Sequence, residues 1–207
     1  MLHLLETAAL LVTAAAGFYG VWSVALRLGA APPAGPAPNW VDCLAMLMAA
    51  AVPLAWEIGL RKVPLAEIGL CIPTGTARHA AASIVLVAAF AAYACVLFWL
   101  FRLRTLHLLS VHTIVHFIPI SLCVAASEEA IFRGVLQRRI AEAWGAAPAI
   151  LVAALVFAFL AHARAPLAMN LAFRLPAGLL LGYLYHRHRS LIPPIALHWA
   201  LNIAAAA

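Results

Sequence analysis

Apolar segments of membrane-crossing length recur along almost the whole of this 207-residue chain, at roughly 7–29, 40–60, 80–101, 111–132, 147–164, 167–186 and 191–207. Each holds few charges over about 17 to 25 residues, the length a helix needs to span a bilayer. With 67% hydrophobic residues, 10% charged residues and a mean hydropathy of +1.03, the composition excludes a water-soluble domain. The chain is therefore expected to be all-α: a polytopic transmembrane helix bundle of about seven spans, resident in the membrane. The first segment carries Glu6 where a secretory signal has basic residues, so it reads as a retained span.

The formal net charge of +6 gathers in short loops beside the spans, as the positive-inside bias predicts, and calls for no nucleic-acid partner. Arg61, Lys62, Arg78, Arg138, Arg139, Arg187 and Arg189 on one side outweigh Arg27, Arg102, Arg104 and Arg164 on the other. That balance predicts a cytoplasmic N-terminus and a C-terminus on the opposite side. Cys43, Cys71, Cys95 and Cys123 are scattered without C-x-x-C spacing and read as free, buried thiols.

A polar interval near 102–110 divides the chain into N-terminal transmembrane helices (1–105) and a second part (106–207) in which every span carries a polar feature. Before it, the Pro-rich stretch Ala31 to Pro38 reads as a stiff, extended connector, and residues 61–70 as a short interfacial element. The polar features lie mainly in the second part, which is where a catalytic core is expected.

Glu128 and Glu129 sit at membrane depth after the apolar stretch Ile114 to Ala126, with Arg133 four residues on. Each ionisable group there costs roughly 2.5 to 3.5 kcal/mol on insertion scales, so such residues mark wet cavities and functional sites. Glu129 and Arg133, at i and i+4, share a helix face and can pair. Glu128 points about 100° away and is free to face a cavity. The alternative is an ordinary helix end, with Gln137, Arg138 and Arg139 in water.

Two further features lie at similar depths. His162 ends the apolar run Leu151 to Ala161, and His198 and Asn202 share one face of the last span. At 1.5 Å per residue, Glu128, His162 and His198 fall roughly 16, 21 and 10 Å from one membrane side. Among the remaining polar residues, Asn170 and Arg174 share a face and either satisfy one another or line the cavity, and Glu57 is placed to pair with Arg61. His112 and His116 have metal-ligand spacing but read as interfacial.

In order and spacing, Glu128-Glu129-x-x-x-Arg133-Gly134, the His162 region and His198-x-x-x-Asn202 resemble the CAAX-processing and bacteriocin-processing (CPBP, or Abi) intramembrane endopeptidases. Gly178 to Tyr185 and Arg189-Ser190-Leu191 extend the resemblance, which covers about residues 111–207. One departure is visible: the family carries Phe four residues before its second-motif histidine, where this chain has Ala158 flanked by Phe157 and Phe159.

The resemblance implies a glutamic-type intramembrane protease similar to the type 2 CAAX prenyl endopeptidases. Glu128 would be the general base for water, His162 its assistant, His198 and Asn202 the oxyanion stabilisers, and Glu129 and Arg133 supports. A carboxylate in a partly desolvated cavity is a better base near neutral pH than one in water, and donors held in low dielectric stabilise a developing oxyanion by several kcal/mol. No cofactor is required by this scheme. Zinc held by Glu128, His162 and His198 is the alternative, although the chain has no H-E-x-x-H.

The implied partners are the bilayer and a membrane-anchored or lipidated peptide or protein, cut at a CAAX-type end, a leader or a C-terminal sorting signal. The implied location is a bacterial cytoplasmic membrane. A non-catalytic scaffold or immunity protein of the same fold, and a small transporter, are the competing classes.

Overall fold

In the computed structural model the described residues are 2–28, 39–73, 75–100 and 113–206, and their regular structure is all helical. The helices are α1 (Leu2–Arg27), α2 (Trp40–Leu60), α3 (Leu65–Ile68), α4 (Ala77–Leu100), α5 (Val115–Trp144), α6 (Ala146–Ala161), α7 (Leu167–His188) and α8 (Ile192–Ala206). The connector Ala31 to Pro38, the interval 102–110 and His112 lie outside the described residues.

Helices are the expected answer to a lipid solvent, because each satisfies its backbone hydrogen bonds internally. Five of them, α1, α2, α4, α5 and α7, have the length and composition of membrane spans. α6 and α8 occupy the other two expected segments, but at about 24 and 22 Å they fall short of a ~30 Å hydrocarbon core.

Large apolar side chains such as Ile84, Val85, Trp99 and Leu160 face outward, and small ones face inward. The main core cluster joins α1, α2, α5 and α6 through Ala14, Ala49, Ala50, Ala149 and Ala153, with Ile131, Phe132, Leu136, Ile140 and Phe157 filling the gaps. Small residues at the seams let helices approach closely where burial from lipid supplies little drive of its own.

α2 runs parallel to α5: Cys43 meets Cys123 near one end, and Glu57 meets Arg138 and Arg139 near the other. Asn39 caps the start of α2, accepting from the Val41 and Asp42 amides at 2.8 and 3.1 Å, while Asp42 accepts from the Asn39 amide in return. Such a capping box stabilises a helix start by about 1 kcal/mol. Trp22 on α1 donates to the same Asp42 at 3.1 Å. All four cysteines are free, but none is fully buried, and Cys95 is exposed.

α5 does not end near residue 132, as the apolar pattern suggests, but continues to Trp144. The reason is that Gln137 and Arg139 are buried rather than solvated. Buried Glu57 accepts from Arg61 at 3.3 Å and from Arg138 and Arg139, so the expected Glu57–Arg61 pair is one part of a larger network. Arg139 also reaches Glu6 at 3.1 Å and Thr7 at 3.3 Å on α1, and Trp56 donates to Glu6 at 2.8 Å. The charges that seemed to end the helix are matched by carboxylates from α1 and α2.

Three glycine positions set how closely helices meet around α5. Ile68 of α3, fully buried, lies over Gly134, where a Cβ would come within 2.9 Å of its Cγ2. On α7, a Cβ at Gly178 would stand 3.1 Å from Ala154, and one at Gly182 would stand 2.7 Å from Gln137 Oε1. With no Cβ in the way, Arg133 Nη2 and Gln137 Nε2 reach the Gly178 and Gly182 carbonyls at 3.2 and 2.9 Å.

Candidate active site

The site is built outward from Arg133. This guanidinium is fully buried, donates from Nη1 to Glu129 Oε1 at 3.1 Å, and packs over the Phe157 ring at 5.0 Å. Its hold on the Gly178 carbonyl fixes it against α7. Glu129 Oε1 also accepts from His198 Nδ1 at 2.8 Å, which carries the constraint across to α8. Trp199, next along, donates to the Ile118 carbonyl at 3.0 Å and pins α8 to the start of α5.

Glu128 stands apart from this chain of contacts. It is buried, and its Oε2 lies 3.6 Å from His198 Nε2, the opposite edge of the same imidazole that Glu129 holds. No arginine is in salt-bridge contact with it among the described residues. The two adjacent carboxylates therefore differ: Glu129 is tied on one oxygen by a guanidinium and an imidazole, and Glu128 faces the far nitrogen of that imidazole as its one charged contact among the described residues. Glu129 Oε2 and Arg133 Nε are buried with no hydrogen-bond partner among the described residues.

His162 enters differently. Its Nδ1 donates to the Phe157 carbonyl at 2.9 Å, and since a carbonyl only accepts, the neutral ring keeps Nε2 as an acceptor. The Phe157 ring stands edge-on to both imidazoles, 4.8 Å from His162 and 5.6 Å from His198 between ring centroids.

The departure at Ala158 now has a physical account. Residues Val156–Ala161 form a wide, π-type turn, which bonds five residues apart rather than four and so shifts the helix phase. Phe157, five residues before His162, is thereby turned so that its ring meets that imidazole edge-on. Phe157 is buried there, whereas Phe159 is only half-buried. Similar wide turns carry Arg133 (Ala130–Gln137) and Arg174 (Asn170–Arg174), consistent with their frequency at functional sites.

The structure thus brings Glu128, Glu129, Arg133 and His198 into contact and sets both His162 and His198 against the Phe157 ring. Asn202, half-buried one turn beyond His198 on α8, shares its face, and its amide has no hydrogen-bond partner among the described residues. Sequence reasoning left Asn170 and Arg174 undecided; both join the His162 edge. Asn170 Nδ2 donates to the His162 carbonyl and Arg174 Nη1 donates to Asn170 Oδ1, each at 3.1 Å. Neither the aromatic wall at Phe157 nor the carbonyl anchor at Gly178 could be assigned from spacing.

A zinc ion held by Glu128, His162 and His198 would need three donors on one point. Among the described residues no three His, Cys or acidic groups converge in that way. His198 Nδ1 is engaged by Glu129, and its Nε2 faces Glu128 Oε2 at 3.6 Å. Of the three candidate ligands Glu128 and His198 meet, and no third donor joins them among the described residues.

No curated protein and no solved structure matches this chain. Residues 110–204, which include α5 to α7, most of α8 and every residue of the cluster just described, match the family model described as type II CAAX prenyl endopeptidase Rce1-like, the family its motifs resemble.

Proposed function

We propose that this integral membrane protein hydrolyses a peptide bond of a membrane-associated substrate, with Glu128 as the general base for water. The family match supports a CAAX-type intramembrane protease. The observation that carries the mechanism is the contrast between the two carboxylates: His198 bridges them, yet only Glu129 is held by an arginine.

In this reading Glu128 takes a proton from water as its oxygen attacks the scissile carbonyl carbon. His162 Nε2, the accepting nitrogen of the neutral ring, helps orient that water. The carbonyl oxygen becomes an oxyanion, met by the Asn202 amide and by His198 Nε2, which donates in the imidazolium form while Nδ1 donates to Glu129. The C–N bond then breaks, and the proton held by Glu128 passes to the leaving amine. Glu129 and Arg133 set the angle of the His198 ring and do not touch the substrate. The substrate class is a lipidated or membrane-anchored peptide or protein cut near its C-terminus, and no metal takes part.

The test compares protein termini by mass spectrometry, in membranes and secreted material, between cells making the native chain and cells making Glu128→Ala at matched levels. Termini lost in the variant identify activity and substrate together. An unchanged set of termini, with the native protein present, sinks the protease reading in favour of a non-catalytic scaffold.

A further inference from the structure

The site holds a second arginine that the reaction just described does not use. Arg174 lies on α7 about 10 Å in from the start of the helix. Buried Asn170 donates through Nδ2 to the His162 carbonyl, which turns its Oδ1 toward the Arg174 guanidinium. Arg174 is thereby tied to the His162 edge of the site, and it is within electrostatic reach of Glu128.

The two arginines of the site are used differently. Arg133 is fully buried, with Glu129 and the Gly178 carbonyl as partners. Arg174 is half-buried, and among the described residues only one of its five N–H donors is engaged, by a neutral amide. No carboxylate is in salt-bridge contact with it among the described residues. A cation inside a span without a paired anion is costly and marks a functional site. Its planar fork matches a carboxylate, to which it can donate two parallel hydrogen bonds.

We propose that Arg174 receives the C-terminal carboxylate of the substrate and so determines that the enzyme works from a free chain end. Depth selects this anion over a lipid phosphate, since a headgroup stays at the interface while Arg174 sits within the span, tied through Asn170 to the His162 carbonyl. The inference rests on the peptidase reading and names a specificity-determining residue for it.

The experiment uses the full chain in lipid nanodiscs and hydrophobic peptides carrying a prenylated cysteine near the C-terminus, each made as a free acid and as an amide. The native chain is expected to cleave the acid about 10- to 100-fold better in kcat/KM, mainly through KM, the effect of one charge-assisted pair. Arg174→Gln should lower the acid-to-amide ratio of kcat/KM to about one, whatever it does to the amide rate. Arg174→Lys, which keeps the charge without the fork, should retain part of the preference, and it serves as the readout if the glutamine variant does not insert.

A native chain that cuts acid and amide alike, or an Arg174→Gln protein that slows both equally, overturns the proposal and makes Arg174 a group acting through Glu128. Failure of the native chain to cut either peptide counts against the peptidase reading itself. The acid-to-amide binding ratio, read by tryptophan fluorescence in the same nanodiscs, then decides the proposal: a preference abolished by Arg174→Gln supports it, and equal binding overturns it.

Discussion

Two buried ion clusters lie along α5, about three turns apart, and they are closed to different degrees. Around Glu57, carboxylates from Glu6, Glu57 and Glu142 meet guanidinium groups from Arg61, Arg138 and Arg139, so that three helices are joined with charges matched. Around Arg133, one of two adjacent carboxylates is tied down and the other is left facing an imidazole nitrogen at 3.6 Å. Burial alone therefore does not mark a site: Glu57 and Glu129 are more fully buried than Glu128. What distinguishes Glu128 is that the fold neutralises its neighbour and leaves it available.

The largest effect expected to test this contrast is on chemistry. Glu128→Gln keeps the shape and removes the base, and should lower hydrolysis at least about 1,000-fold, within the range for loss of a proton-transfer group, with an unchanged thermal midpoint. Peptide cleavage and melting in nanodiscs check both halves.

Glu57→Gln should do the reverse. Removing one partner of a buried ion pair costs about 3 to 5 kcal/mol, because charges are left unpaired, and among the described residues Arg139 would keep one carboxylate, Glu6, beside the Thr7 hydroxyl. Thermal melting should fall by several degrees, with the activity per folded molecule retained; a loss of turnover at full stability would erase the distinction between the clusters.

Gly134→Ala comes next. Its Cβ would press on Ile68 Cγ2 at 2.9 Å and the Ile68 carbonyl at 3.2 Å, and overpacking of this kind costs about 1 to 3 kcal/mol. A drop in melting temperature that Ile68→Ala partly reverses would confirm that α3 rests on the helix carrying the site. Chelators are expected to have the smallest effect. Extended treatment with a zinc chelator should leave cleavage unchanged, and a loss restored by added zinc would contradict the proposed role of Glu128.

What could be read from the sequence was local. Glu129–Arg133 and His198–Asn202 are pairs within one turn of a helix, so their shared faces follow from helix geometry, and the structure joins Glu129 to Arg133 at 3.1 Å. The seven apolar segments are equally plain, although among the described residues five helices reach spanning length.

What stayed hidden depended on partners far away in the chain or on a change of helix phase. Arg139 looks solvated in sequence because Glu6 lies 133 residues away and Glu57 lies 82 away. Phe157 looked misplaced by one residue because a wide turn leaves no trace in the spacing of side chains. Arg174 was ambiguous because its pairing with Asn170 is local, whereas the tie of Asn170 to His162 depends on how α6 and α7 meet.

The most direct measurement sets Glu128→Gln and Glu57→Gln side by side in nanodiscs, with cleavage and thermal unfolding read on the same preparations. The account predicts opposite outcomes: a stable, inactive protein in the first case, and a destabilised protein whose folded fraction still cleaves in the second. A Glu128→Gln protein that cleaves at the native rate, or one inactive only because it unfolds, would contradict the claim that the fold leaves Glu128 free to act on water.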